Sequence, residues 1–167
     1  MAKTRYRRRS ARVLLVDGEQ RILLLRYLDP PGGPEDRHYW LTPGGGVNRR
    51  ETLAEAASRE LREEIGLVVA AADLGPRVAV TSGYADLGWA RGRFRDDFFL
   101  HRVAAHEVDF GGLDTIETEM VTGYRWWTVD ELGTAGEPVY PLGLAPLLTG
   151  LLAGVIPSDP VPLPWHH

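Results

Sequence analysis

The 167-residue sequence contains no cysteine, which excludes a disulfide scaffold, a thiolate zinc site and any mechanism with a cysteine nucleophile. It also has no long hydrophobic run. The longest apolar stretch, 142–157, is interrupted by Pro146, Thr149 and glycines and stays below the roughly 18 residues that a bilayer span needs. The apolar run after the basic start stops at Asp17 and is too short for a signal peptide. We therefore expect a cytoplasmic protein with no membrane partner.

Composition and charge are those of an ordinary globular protein. Hydrophobic residues make up 44% and charged residues 25% of the chain, which excludes disordered and fibrous classes, and the length fits one domain. Six basic residues lie within the first twelve positions, whereas the rest of the chain is acidic. Residues 1–10 are interpreted as a basic N-terminal arm. Such an arm can contact phosphates, but a solvated terminus is favoured because the acidic body opposes nucleic-acid binding.

The hydrophobic pattern predicts an α/β fold. Two apolar runs, 10–17 and 21–28, are joined by a polar Asp-Gly-Glu-Gln turn and are typical of a β-hairpin. Residues 39–42 are predicted to be extended and 43–46 to form a tight glycine turn. The pattern predicts further strands at 78–82, 94–104 and 121–128, loops at 29–38, 83–92 and 109–114, and short helices at 129–132 and 142–153.

These elements predict a mixed sheet between helices on both faces. Residues 11–155 would form this single domain. The proline-rich residues 156–167 would follow it as an extended tail.

Residues 52–65 have the composition of a helix, with no glycine or proline, and Gly66 follows where a left-handed cap ends a helix. On a projection of about 100° per residue, Glu60 and Glu64 fall within about 20° of Leu53, inside the apolar stripe. Glu63 lies at the edge of the stripe. The helix therefore carries acids on the face that should be buried.

Solvation of an ordinary charged helix is one explanation for these acids, since Glu–Arg pairs four residues apart support such helices. It does not explain Glu60 and Glu64, because like charges on a partly buried face repel each other and lose hydration. A divalent cation resolves the conflict. Glu60, Glu63 and Glu64 offer hard oxygen ligands that suit Mg²⁺ or Mn²⁺ better than Zn²⁺. Backbone groups of Gly44, Gly45 and Gly46 precede the helix, where a phosphate chain can lie.

Residues 45–67 resemble the Nudix box at every defined position. Gly45 is followed after five residues by Glu51 and after seven more by Arg59-Glu60-Leu61, then by Glu63-Glu64 and Gly66-Leu67. The approach at 39–46 and the segment 125–132 also resemble this family. The resemblance implies an α/β/α sandwich and Mg²⁺-dependent hydrolysis of a nucleoside diphosphate linked to another moiety.

The resemblance also implies roles for individual residues. Glu51 and Arg59 would form an ion pair that braces the loop and orients the metal-binding carboxylates. The metal ligands would be the Gly45 carbonyl and the side chains of Glu60, Glu63 and Glu64, with Mn²⁺ able to replace Mg²⁺.

A carboxylate must accept the proton of the attacking water. Glu63, Glu64 and an acid from the loop before the last strand are the candidates. Glu117 and Glu119 both lie in that setting, and Glu119 is preferred; the alternative is that both are ordinary loop acids.

Tyr39, Trp40 and Tyr140 lie in or beside predicted loops and are candidates for contacting a base or ribose. The expected partner is a small nucleotide derivative: a nucleoside triphosphate, ADP-ribose, a nucleotide sugar or a dinucleoside polyphosphate, among which the box does not distinguish. A non-catalytic nucleotide sensor on the same fold is the alternative function, and a homodimer stays open.

Overall fold

A computed structural model describes residues 2–29 and 37–166. Most of the loop predicted at 29–38 lies outside these residues, as does the last residue of the predicted tail. The strands are β1 (Arg8–Val16), β2 (Ile22–Leu28), β3 (His38–Leu41), β4 (Gly44–Gly46), β5 (Arg77–Asp86), β6 (Arg91–Arg102), β7 (Val121–Trp127), β8 (Val139–Tyr140) and β9 (Val161–Pro162). The helices are α1 (Leu53–Ile65), α2 (Thr115–Met120), α3 (Val129–Leu132) and α4 (Leu144–Leu152). None of these helices is long and apolar enough to cross a membrane.

Within the described residues the strands form one mixed sheet in the order β8-β3-β2-β1-β6-β5-β9. The predicted hairpin of β1 and β2 is confirmed, with Val16 paired to Ile22 beside the turn. Beyond that point β3 pairs with β2, while β4 pairs with β1. On its other edge, β2 pairs with β7, and β1 pairs with β6. The two hairpin strands therefore diverge, and the glycine strand β4 lies against β1.

Helices cover both faces of this sheet. Alternate residues of its central strands point to opposite sides, and apolar side chains on each side pack against helices. Leu14 and Val16 pack in a cluster with residues of α3 and α4, whereas Val13 and Leu15 pack with residues of α1. The predicted sandwich, a mixed sheet between helices, is confirmed.

Helix α1 begins at Leu53, one residue after the predicted start, and ends before the predicted glycine cap. The Thr52 side chain accepts a hydrogen bond from the Glu55 amide, and the Glu55 side chain returns one to the Thr52 amide, which forms a capping box. Gly66 ends the helix in the left-handed region, with φ 71°. Glu60 and Glu64 are buried with the apolar residues of the helix, at 8% and 2% exposure.

Several sequence predictions are corrected by the backbone. Residues 83–92, predicted as a loop, mostly continue β5 and β6, because Asp86 and Arg91 still pair across the hairpin. The glycines 44–46, predicted as a turn, form strand β4. Residues 115–120, predicted within a loop region, form α2, which is capped by Asp114. The segment interpreted as a basic arm includes the start of β1 at Arg8, which pairs with Phe94.

Asp97, on β6, is a buried carboxylate that ties three strands together. It has no exposed surface and accepts hydrogen bonds from Arg9 of β1 at 3.0 Å, from Arg77 of β5 at 2.7 Å and from Arg95 of its own strand at 3.1 Å. Burial alone would raise the pKa of Asp97, but the hydrogen bonds and charges of Arg95 and Arg9 outweigh it and hold this pKa below its ordinary value.

We expect Asp97→Asn to lower the free energy of unfolding at pH 7 by about 2–4 kcal/mol, because it leaves three arginines without their shared carboxylate. A carboxyl whose folded pKa is depressed stabilises the fold above its unfolded pKa, about 3.9, and loses this contribution as pH falls through the folded pKa. Urea unfolding at pH 7 and pH 3 should therefore show a smaller acid-induced loss in the variant than in the parent. Asp159→Asn, at an exposed position, is the control, and equal losses in the parent and Asp97→Asn would contradict this role.

Candidate active site

The glycines of β4 allow the backbone to approach both β1 and α1. Gly44 has φ 141°, and a Cβ at this position would lie 2.3 Å from the Ala11 carbonyl oxygen. A Cβ on Gly45 would lie 2.5 Å from Oε1 of Glu60. Side chains at these two positions would therefore clash with the strand or displace the carboxylate.

An arginine connects this strand, the following loop and the helix. Arg59 donates to both carboxylate oxygens of Glu51, at 2.8 and 2.9 Å, and to the Gly46 carbonyl at 2.8 Å. It also donates to Glu60 at 3.0 Å and to Glu63 at 3.2 Å. The hydrogen bonds from Arg59 lower the pKa of Glu51. The ion pair expected between Glu51 and Arg59 is thus present, and it fixes the loop against the helix.

Three carboxylates meet beside the glycine strand. Glu60, Glu64 and Glu117 each offer an oxygen that lies within 4.8 Å of the others. Burial, followed by the charge of Glu60, raises the pKa of Glu64 well above its ordinary value. Burial and a hydrogen bond with Asp114 raise the pKa of Glu117 to about 7. Clustered carboxylate oxygens with this degree of burial suit a divalent cation such as Mg²⁺, because positive charge would offset their repulsion.

The structure groups the sequence-predicted acids differently from the prediction. Glu63 borders the same cavity, but its side chain is 42% exposed and contacts Arg59. Glu119 is exposed and lies outside the three-carboxylate cluster, whereas Glu117 lies within it. The physical reason is α2: residues two apart on a helix point about 200° from each other, so only one of the two acids can face the site.

A cavity of about 860 Å³ opens at the acidic cluster. Gly44 and Gly45 border it, as do Tyr39 and Tyr140 from the predicted substrate residues. Gly46 does not border it; its carbonyl instead accepts from Arg59. The cavity therefore joins an acidic end to an aromatic wall.

Trp40, the third predicted aromatic contact, does not border this cavity. Neighbouring residues on a strand point to opposite faces, so Trp40 packs edge-to-face on Trp127, with ring centroids 5.0 Å apart. Its indole nitrogen donates to Glu137 at 3.0 Å. Trp40 packs against the core beneath the sheet, and this placement outside the cavity lining does not support its expected role in contacting substrate.

Arg12 and Asp96 are cavity residues that sequence reasoning missed. Arg12 donates to the carbonyls of Thr42 at 3.1 Å and Gly44 at 3.4 Å, and its Nε lies 3.6 Å from Asp96. One signal was available: Arg12 is a lone charge beside the apolar residues 13–16. It also belongs to the basic residues at the start of the chain, and position along the sequence gives no information on strand pairing.

Comparisons with known proteins show which family the sequence and fold resemble. The NUDIX domain model matches residues 6–145. Over 61 residues the chain is 46% identical to an RNA pyrophosphohydrolase of Gluconacetobacter diazotrophicus; this match covers 35% of the chain and 36% of that relative, so it spans about a third of the relative's length.

Solved structures with low sequence identity share the fold. The dihydroneopterin triphosphate pyrophosphohydrolase of E. coli has a TM-score of 0.62 and 17% identity over 90% of this chain and 99% of its own. An ADP-ribose pyrophosphatase from Streptococcus suis has a TM-score of 0.58 and 19% identity over 93% and 96%. With a family model across most of its length and the complete box arranged as described, the chain belongs to the NUDIX domain family.

Proposed function

We propose that this chain is a Mg²⁺-dependent hydrolase that cleaves a phosphoanhydride bond in a nucleoside diphosphate derivative. The observation that carries the proposal is the cluster of Glu60, Glu64 and Glu117, beside a glycine strand and at the end of a nucleotide-sized cavity. Family membership supports the reaction class. The names of the relatives, an RNA pyrophosphohydrolase, an ADP-ribose pyrophosphatase and a pterin triphosphate pyrophosphohydrolase, support a substrate with a phosphoanhydride.

The residues around the acidic cluster are proposed to have different roles. Glu60 and Glu64 would hold the cation, and the Gly45 carbonyl and Glu63 border the same end of the cavity. When bound, Mg²⁺, or Mn²⁺ in its place, supplies positive charge that stabilises the charge developing on phosphate oxygens. Arg59 keeps Glu60 and Glu63 in position through its contacts with Glu51 and Gly46.

Glu117 is proposed as a proton acceptor beside Glu63 and Glu64. Its pKa of about 7 in the cation-free protein, raised by burial and by Asp114, suits a group that accepts a proton from water near neutral pH. Tyr39 and Tyr140 border the same cavity and are proposed to contact the nucleoside.

A screen of nucleoside triphosphates, ADP-ribose, nucleotide sugars and dinucleoside polyphosphates, with Mg²⁺ and detection of released phosphate, pyrophosphate or nucleoside monophosphate, tests the reaction. Capped or triphosphorylated RNA ends belong in the same screen because of the RNA pyrophosphohydrolase relative. Binding of these compounds without turnover would favour the sensor over the hydrolase.

With a substrate in hand, we expect Glu64→Gln and Glu63→Gln each to lower kcat by about 10²- to 10⁴-fold, because each removes a charged oxygen from the acidic end of the cavity. The substitutions keep side-chain shape, so circular dichroism and the melting temperature should stay close to the parent. Glu107→Gln, at an exposed position outside the cavity, is the control. Near-parental turnover in both folded variants would refute the assignment.

Cation binding is expected in the absence of any substrate. Calorimetric titration with Mg²⁺ and Mn²⁺ should give saturable binding to the parent, and Glu64→Gln should weaken it by at least about 10-fold, because an oxygen ligand loses its charge. Glu107→Gln should bind as the parent does. Identical affinities in the parent and Glu64→Gln would place the cation elsewhere.

The two acids of α2 give a matched comparison. We expect Glu117→Gln to lower kcat by about 10²-fold or more, since it removes a member of the cluster. Glu119→Gln should stay within about 3-fold of the parent, because its side chain is exposed and outside the cluster. The reverse ranking of these two variants would show that the loop acid is Glu119.

A further inference from the structure

Residues 161–166, here called the wall segment, are built into the sheet and the cavity. Val161 and Pro162 pair in parallel with Ala79 and Val80 of β5, and the Leu163 amide donates to the Val80 carbonyl at 2.9 Å. The segment therefore follows the edge of β5 and brings Trp165 and His166 to the cavity, which both residues border.

Trp165 is seated in the β5–β6 hairpin. Its indole nitrogen donates to the Tyr84 carbonyl at 3.0 Å, and its ring packs against the cluster of Ala85, Ala90 and Phe94. A Cβ on Gly83 would lie 2.3 Å from Cδ1 of Trp165. The absence of a side chain at position 83 thus makes the space that the indole fills.

His166 extends a row of aromatic rings along the cavity. Its ring stacks on Tyr140, with centroids 4.3 Å apart and planes 21° apart. Tyr140 meets Tyr39 edge-to-face at 5.8 Å, and Tyr39 stacks on Tyr27 at 5.4 Å. All four rings border the cavity that ends at the acidic cluster.

We propose that the wall segment supplies part of a subsite for the planar heteroaromatic ring of the substrate, with Trp165 and His166 completing the aromatic wall begun by Tyr39 and Tyr140. The inference rests on the proposed function for the class of ligand, a nucleoside phosphate. The chemistry of the lining suits such a ligand: the carboxylates with a cation would take the phosphates, and the aromatic faces that border the same cavity would stack a base. A volume near 860 Å³ accommodates both parts of such a ligand.

A purely structural role for the wall segment is the competing explanation, since covering the edge of β5 protects it from pairing with other chains. The two explanations differ in one measurable property. If the wall segment has only a structural role, substitutions in it change the affinity for ligands with and without a base equally. If it forms a base subsite, they change the affinity only for ligands that carry a base.

Calorimetry with AMP, GMP, CMP and UMP against ribose 5-phosphate, all with Mg²⁺, measures this property without requiring hydrolysis. We expect at least one nucleotide to bind the parent about 10-fold or more tighter than ribose 5-phosphate. Trp165→Ala and His166→Ala should each reduce that preference by about 5- to 100-fold, the scale of one stacked base, and leave ribose 5-phosphate unchanged. His166→Phe keeps an aromatic face and should restore most of it.

A substitution outside the cavity lining gives an independent test. Gly83→Ala should displace the indole and lower the base preference as Trp165→Ala does, whereas Gly123→Ala, also on a strand but with nothing within 4 Å of the added carbon, should not. If Trp165→Ala does not fold, His166→Ala and Gly83→Ala carry the test.

The inference is overturned if the parent binds no nucleotide better than ribose 5-phosphate, or if the folded variants keep the parental preference. Failure of the hydrolase proposal has a different signature. In that case the parent shows the base preference and its dependence on Trp165 and His166, but cleaves none of the screened compounds.

Discussion

Two carboxylates one helical turn apart, Glu60 and Glu64, are buried on the same face of α1, and the site is arranged around this placement. Burial and mutual repulsion raise the pKa of Glu64. Arg59 is the cation in direct contact with Glu60, but it is shared with Glu51 and Glu63. Arg59 therefore faces three carboxylates, and Glu64 and Glu117 add two more acids beside Glu60. The charge of a second arginine, Arg12, lowers the pKa of Glu64 but does not cancel the effect of burial and of Glu60. The excess negative charge is the electrostatic reason for proposing a divalent cation there.

The divergence of β1 and β2 makes this placement possible. Because the hairpin strands pair beside their turn and then separate, β4 can lie along β1 and bring Gly45 against Glu60. A residue with a side chain at position 45 would displace that carboxylate. The spacing of the box thus has a structural reason. Seven residues separate Glu51 from Arg59 on the helix, and at this distance the Arg59 guanidinium donates to Glu51 and to the Gly46 carbonyl.

Local patterns predict α1, its glycine cap, its buried acids and the sheet between helices, because periodicity and helix termination by glycine depend on residues close in sequence. The missed features depend on pairing between distant segments. Nothing local indicated that Arg12 lies beside Gly44 or that Trp40 faces the core. The positions of Glu117 and Glu119 depend on α2, a helix of six residues that is too short for a hydrophobic period to reveal. Gly83 and the prolines near β9 are typical of loops, so the sequence predicts neither the full length of β5 nor the pairing of β9.

The residues that border the cavity come from two parts of the chain. The acidic end consists of residues within 6–145, the range matched by the family model, whereas Trp165 and His166 lie beyond it. Tyr39 and Tyr140 of the aromatic wall also lie within the matched range. If Trp165 and His166 help to select the base, residues beyond that range take part in recognition, whereas the acidic cluster lies inside it. The two functions can then change separately, because a substitution at 165 or 166 does not touch the buried carboxylates. One fold can carry different functions when the residues that line its site differ.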